Sequence, residues 1–312
     1  MSLKIKNVEL KSNLILAPMA GYTELAFRKL CQDFGAGLTC TEMVSAKALH
    51  YKNKKTEDML FSLDGESPKA VQIFGHEPEI MAEACKNPIL DKFDIIDINM
   101  GCPAPKIVNN GDGSALLKDI NLAREIIEAC VKATTKPITV KFRIGYYAAD
   151  IVAVEFAKMC EEAGAAAITV HGRTTKQGYS GKVNYDIIRQ VKEAVSIPVF
   201  ANGDCRTRED YLNILEQTKA DGVMVGRAAV GKPEVFAEMI SGQKQSVNKF
   251  EQIKWHYETL LAFYPETFVV KNMRTHLAGY FSGEYKNSKA LVDLMKMTSY
   301  AEILAYLTNI FA

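Results

Sequence analysis

The chain has 312 residues, 48% of them hydrophobic and 24% charged, with 38 Lys and Arg against 37 Asp and Glu. A net charge of +1 excludes a chain whose overall charge drives it onto nucleic acid or a membrane surface, so any such binding rests on local patches. The length suits one barrel-sized unit plus a smaller one.

Seven cysteines, Cys31, Cys40, Cys85, Cys102, Cys130, Cys160 and Cys205, are scattered without a C-x-x-C pair. This argues against a disulfide framework or a zinc site and for reduced thiols. The first six residues, from Met1 and Ser2 to Lys6, lack the apolar core of a signal peptide, and no apolar run approaches the ~18 residues that span a bilayer. The expected location is the cytoplasm.

Short apolar or β-branched runs recur at residues 14–17, 38–43, 70–74, 95–99, 138–143, 167–171, 198–201 and 222–225. Between them lie segments with helical spacing, such as Leu122, Ile126, Ile127 and Val131. Near-continuous hydrophobic strands alternating with helices are the pattern of parallel strands covered on the outside. Eight such units predict an α/β fold, a (β/α)8 TIM barrel. A doubly wound open sheet fits less well, because no G-x-G-x-x-G turn follows the first strand. Polar residues and glycines follow the apolar run of every strand, and in a parallel barrel those ends open onto one face.

From about Lys244 the alternation stops and only helical stripes remain: Phe250, Ile253, Tyr257, Leu260 and Leu261, then Val269, Met273, Leu277 and Tyr280, then Leu291, Leu294 and Met295. Ser299 and Glu302 stand at capping-box spacing before a last helix. The reading is a barrel over residues 1–242 and a helical bundle over residues 243–312, joined by the polar stretch 242–248.

Residues 94–103 read Asp-Ile-Ile-Asp-Ile-Asn-Met-Gly-Cys-Pro. Ile95, Ile96 and Ile98 predict a buried strand that ends in a tight loop with Cys102 at its root, and Pro103, Pro105, Gly111 and Gly113 predict that this loop is able to close over a ligand. A cysteine there is either an apolar filler or a working thiol. Lys141, between Val140 and Phe142, interrupts a buried pattern and needs an anion, either a ligand or a carboxylate such as Asp97. Gln72 is either a core amide or a donor and acceptor for the edge of a heterocycle. Asn202-Gly203-Asp204 and Gly226-Arg227 end strands seven and eight, where glycine lets backbone N–H groups approach a phosphate and an arginine adds a charge-assisted contact. His171, followed by Gly172-Arg173-Thr174, ends strand six.

Residues 99–103 (Asn-Met-Gly-Cys-Pro), 17–21 (Ala-Pro-Met-Ala-Gly), 140–145 (Val-Lys-Phe-Arg-Ile-Gly), 171–174, 202–204 and 226–227 together resemble the tRNA-dihydrouridine synthases, in particular the bacterial B-type group. Six motifs in the family's order span about residues 14–239. The resemblance implies an FMN barrel that reduces the C5–C6 double bond of particular uridines in tRNA, with NADPH as reductant. In the family a hydride passes from flavin N5 to C6 and a loop cysteine gives a proton to C5; Cys102 matches that cysteine. Pro18, Met19, Ala20 and Gln72 would border the flavin ring and Lys141 would lie at its N1–O2 side. Asn202, Gly203, Asp204, Gly226 and Arg227 would hold its phosphate, with His171 and Arg173 completing that shell. Asn99 would contact the uracil edge. No metal and no protein partner are expected, and the family expectation is a monomer.

For RNA, the exposed-looking stretch Tyr51, Lys52, Lys54 and Lys55 after strand two is expected to track phosphates, with Tyr51 free to stack. Arg173, Lys176, Tyr179 and Lys182 form a second strip. In the family the bundle helps hold tRNA, which makes Arg274 and His276 expected substrate contacts, with Thr275 where relatives often have lysine. Two rival readings remain: a flavin barrel acting on a free pyrimidine, such as a dihydroorotate dehydrogenase, which leaves the tail unexplained, and an inert tRNA-binding factor.

Overall fold

The computed structural model describes residues 3–283 and 287–311. Met1 and Ser2 lie outside the described residues. Eight parallel strands form the barrel wall: β1 (Leu14–Leu16), β2 (Thr39–Ser45), β3 (Lys69–Phe74), β4 (Ile95–Met100), β5 (Ile138–Arg143), β6 (Ala167–His171), β7 (Val199–Asn202) and β8 (Gly222–Val225). β8 pairs with β1, and the ladder runs through consecutive neighbours back to β2. The remaining seam is bridged by a parallel pairing of Ile15 with Leu38 and by the Leu16 N–H, which donates to Leu38 O at 2.9 Å. The strands sit where the apolar runs predict them, because a strand covered on both faces is predominantly apolar and its flanking turns are not. In β4 all six residues are buried.

Helices return each strand's chain along the outside. Ile126, Ile127, Cys130, Phe156 and Cys160 pack with the outward faces of Val140 and Phe142 in one continuous core, and Phe142 meets Phe156 with ring centroids 5.0 Å apart. Inside the barrel a second cluster of Ile15, Cys40, Ala70, Ile95, Phe200 and Met224 is closed from below by Ile5 and Leu10 of the N-terminal hairpin. The floor is therefore packed, and the opposite rim is left open.

The first barrel helix is α1 (Leu25–Asp33), and the tail consists of α2 (Lys249–Leu261), α3 (Glu266–Tyr280), α4 (Ser288–Leu294) and α5 (Tyr300–Phe311). The apolar stripes read from the sequence meet in one core with Leu25 and Ala26 of α1. Each fully buried aliphatic side chain there contributes about 1.5–3 kcal/mol.

The joint also carries polar contacts. Glu24 caps α1 by accepting from the Ala26 N–H at 2.7 Å and the Phe27 N–H at 2.9 Å, and His256 of α2 meets the same carboxylate at 2.7 Å. Burial pushes the Glu24 carboxyl up, but the neighbouring His256 and His276 imidazoles and the cap N–H hold it below its ordinary value. Glu24, His256 and His276 bring ligand-type atoms within 4.8 Å of one another. The 2.7 Å contact between His256 and Glu24 has the length of a hydrogen bond.

Candidate active site

The open rim encloses a cavity of about 740 Å³ built from the C-terminal ends of the strands. Pro18, Met19 and Ala20 line it after β1, Gln72 from β3, Asn99 from β4 and Cys102 just beyond, Lys141 and Arg143 from β5, and His171 from β6. Asn202, Gly203 and Asp204 follow from β7, and Gly226 and Arg227 from β8. These residues are far apart in the chain and share one wall because every strand points the same way. Arg173 is buried just behind and pairs with Asp204 at 2.6 Å.

The cavity is rich in positive charge. Lys141 has no carboxylate within ion-pair distance among the described residues, since Asp97 is engaged by Gln72 and Thr139. Burial, followed by the neighbouring Arg143 charge, lowers the Lys141 ammonium to about 8. Burial and the charges of Lys141, Arg143, Arg173 and Arg227 lower the His171 imidazole to about 2, so it is neutral at physiological pH. Arg227 stacks over the Tyr179 ring at 4.7 Å and shares Asp204 with Arg173. Arg143 donates to the carbonyls of Gly101, Thr174 and Gly178, which ties the β6 loop to the Cys102 loop. Among the described residues, the one lining carboxylate, Asp204, stands against Lys141, Arg143, Arg206 and Arg227 on the wall and Arg173 behind it, which leaves the site short of negative charge.

Glycine is required at the β7 end. Gly203 has φ +136°, which side-chain-bearing residues rarely adopt, and an added Cβ would stand 2.7 Å from Val183.

Cys102 is half-buried, whereas the other six cysteines are buried. Its loop is held at the root. The Gly101 and Cys102 N–H groups donate to Asn99 Oδ1 at 3.1 and 2.9 Å, and Ser114 donates its N–H and Oγ–H to Cys102 O. At its far end His76 meets Asp112 at 2.7 Å.

The remaining sequence expectations are distributed differently. Tyr51, Lys52, Lys54 and Lys55 are exposed on the loop and short helix after β2, outside the cavity, and Lys54 pairs with Asp58. His276 requires a correction: it is fully buried between Glu24, Phe27 and His256 and presents nothing to a nucleic acid. The helical phase that puts Leu277 and Met273 in the bundle core carries His276 inward with them. Arg274 is likewise half-buried, with one guanidinium N–H on Met297 O at 3.4 Å, and it does not line the cavity. Asn99 does line it, but its oxygen accepts two backbone N–H groups and its NH2 donates to Gln72 Oε1 at 2.7 Å and, weakly, to Met43 Sδ at 3.5 Å, so a ligand gains an N–H only by displacing the sulfur contact.

Residues that the sequence did not mark as site residues also form the wall, notably Met43 and the tail positions Ala278, Gly279 and Ser282, joined by Thr275, which stood out only as the residue between Arg274 and His276. The trace in the sequence is the row of small residues at helical spacing on α3. Their purpose is close approach, because the Gly279 backbone lies against Val230 and Gly231, and a Cβ on Gly279 would stand 2.6 Å from Val230 O.

Comparison with known proteins gives a consistent result. The family model described as "Dihydrouridine synthase (Dus)" matches residues 15–310. A protein of Rickettsia conorii named "Probable tRNA-dihydrouridine synthase" is 42% identical over 290 residues, covering 90% of this chain and 88% of that protein. "tRNA-dihydrouridine synthase B" of Pseudomonas putida is 40% identical over 289 residues, covering 90% of this chain and 86% of its own. Among solved structures, morphinone reductase in complex with tetrahydroNAD shares the fold, with a TM-score of 0.56 at 12% identity over 79% of this chain and 91% of that one. The chain belongs to the dihydrouridine synthase family.

Proposed function

We propose that this chain is a tRNA-dihydrouridine synthase that reduces the C5–C6 double bond of particular uridines in tRNA, using FMN and NADPH. The observation that carries this reading is the half-buried Cys102 thiol on the wall of a cavity short of negative charge. The residues fit an anionic flavin. Lys141 lacks a carboxylate partner, and Gly203 and Gly226 leave room for backbone N–H groups to meet a phosphate. Pro18 to Ala20 and Gln72 border the ring, Lys141 serves its N1–O2 side, and Asn202 to Asp204 with Gly226, Arg227, His171 and Arg173 hold the phosphate end. When bound, FMN supplies the hydride that NADPH provides.

The chain's own residues do the rest. Cys102 donates the proton to uracil C5, the general-acid role of a thiol placed at the cavity wall. The Asn99 N–H that is held only weakly, 3.5 Å from Met43 Sδ, turns to the ring edge and orients it. The wall formed by α3 and the β6 loop shields the site from water. A stacked uridine reaches the cavity only by flipping out of its helix. Residues 1–242 carry the chemistry, and residues 243–312, with the basic Lys52, Lys54 and Lys55 stretch, orient the tRNA. With no helix among the described residues long and apolar enough to cross a membrane, we place the enzyme in the cytoplasm, as a monomer.

The test is to incubate wild-type protein and Cys102→Ala with unmodified tRNA and NADPH and to locate dihydrouridine by mass spectrometry of nuclease fragments. The wild type should form it, and the variant should be slower by roughly 100- to 10,000-fold with its flavin retained. A wild type that reduces dihydroorotate's oxidised partner and leaves tRNA untouched would move the assignment to a free pyrimidine.

A further inference from the structure

The hydrogen bonds that hold the Cys102 loop begin at Asp97, a 5%-exposed carboxylate within β4, two residues before Asn99 on the same face of the strand. Thr139 Oγ1 donates to Asp97 Oδ1 at 2.6 Å, and Gln72 Nε2 donates to Asp97 Oδ2 at 2.7 Å. Gln72 Oε1 then accepts from Asn99 Nδ2 at 2.7 Å, and Asn99 Oδ1 accepts the Gly101 and Cys102 N–H groups.

Direction matters in this chain. The Asp97 oxygen that faces Gln72 is an acceptor, so Gln72 turns its NH2 inward and its carbonyl towards Asn99. Asn99 meets that carbonyl with its own NH2, which leaves its carbonyl for the two backbone donors at the root of the Cys102 loop. An amide torsion has two nearly equivalent settings, and the acceptor at Asp97 selects one of them. If both amides reversed, the Asn99 NH2 would confront the Gly101 and Cys102 N–H groups, donor against donor, and the loop root would lose both anchors. Burial pushes the Asp97 carboxyl up, against the Gln72 and Thr139 hydrogen bonds that lower it. A proton on the oxygen facing Thr139 would leave the acceptor for Gln72 in place.

We propose that Asp97 is a positioning residue for the proton donor: through the amides of Gln72 and Asn99 it fixes the orientation of the backbone that carries Cys102. This assignment rests on the function proposed above for its catalytic consequence, but its structural half stands apart from that function.

Asp97→Leu removes the acceptor at similar volume. Asp97→Asn retains one, since the Thr139 hydroxyl can turn to accept the new N–H. In Asp97→Leu, transfer from the NADPH-reduced enzyme to tRNA should slow by about 10- to 100-fold, while flavin content and the rate of flavin reduction by NADPH stay at wild-type levels. Hydrogen exchange at the Gly101 and Cys102 amides should quicken in the same variant, and Asp97→Asn should restore both readouts.

Exchange does not depend on turnover. A wild type that makes no dihydrouridine, yet shows this exchange pattern across the variants, would defeat the functional reading and uphold the positioning role. Unchanged exchange and transfer in Asp97→Leu would overturn the proposal, as would a parallel loss of flavin reduction or a failure of Asp97→Asn to restore. Should Asp97→Leu not fold, Gln72→Met cuts the chain at its middle. Faster exchange at both amides then supports the proposal, and unchanged exchange overturns it.

Discussion

Two lysines set into the protein, the half-buried Lys141 in the barrel and the buried Lys249 at the joint with the tail, are handled in opposite ways. Lys249 Nζ lies 2.6 Å from Glu234, 3.0 Å from Gly231 O and 3.0 Å from Gln252 Oε1, so every proton has a partner within the protein. Lys141 has no carboxylate within ion-pair distance among the described residues and lines the cavity with Arg143, Arg173 and Arg227 nearby. Burial lowers both ammonium groups from their ordinary value, Lys141 to about 8. A paired lysine closes a structure, whereas an unpaired one beside a cavity prepares it for an anion brought from outside.

The sharpest way to break this contrast is to remove each lysine in turn. Lys249→Met should destabilise the protein by about 3–5 kcal/mol, because Glu234 is left buried and unpaired, and Lys249→Met combined with Glu234→Leu should recover most of that loss. Urea unfolding measures both, and a single variant as stable as the wild type would refute the structural assignment. Lys141→Met should leave stability nearly intact and weaken FMN binding by roughly 10- to 100-fold, the value of one hydrogen bond to a charged group. Wild-type affinity for FMN should also fall as the pH rises through about 8, where the free ammonium is lost, and Lys141→Met should lack that dependence. Fluorescence titration of FMN across pH 7 to 9.5 reads both effects.

The buried histidines extend the comparison. His276 is held neutral by burial and by the adjacent His256, with its imidazole lowered to about 3. Its pKa is depressed on folding, so the unfolded chain binds the proton more readily, and stability falls as the pH drops from about 6.5 towards 3. Between pH 7 and 5 this group alone should cost about 2 kcal/mol, and His276→Leu should flatten that part of the stability profile. An unchanged profile in the variant would assign the acid sensitivity elsewhere. Surface lysines make a third class and the smallest effect. Replacing Lys52, Lys54 and Lys55 with alanine should lessen the slope of log K against log salt for tRNA by about 2–3, and an unaltered slope would put the RNA on another surface.

How far the sequence was legible follows from what each signal depends on. The strands were readable because β4 and its neighbours are covered on both faces, so they are rich in apolar and β-branched residues, broken only by a few polar positions, and end at a polar residue or glycine. The cavity residues were readable for the same reason, since Gln72, Asn99, Lys141 and His171 each interrupt or end such a run. His276 misled because a basic residue on a helix looks alike whether it faces solvent or a neighbour. The second side of α3 is covered by Glu24 and Phe27, more than 240 residues away in the chain.

What the sequence by itself determined was a parallel eight-stranded barrel with its polar strand ends gathered at one rim and a helical tail, because strand period, strand ends and helical period are local properties of the chain. Tertiary structure alone decided that Thr275, Ala278, Gly279 and Ser282 wall the cavity and that His276 belongs to a joint. It also decided that Asp97 turns towards Gln72 and leaves Lys141 unpaired. Each of these is a choice of partner among groups distant in sequence, made by packing and hydrogen-bond direction, which no local pattern encodes.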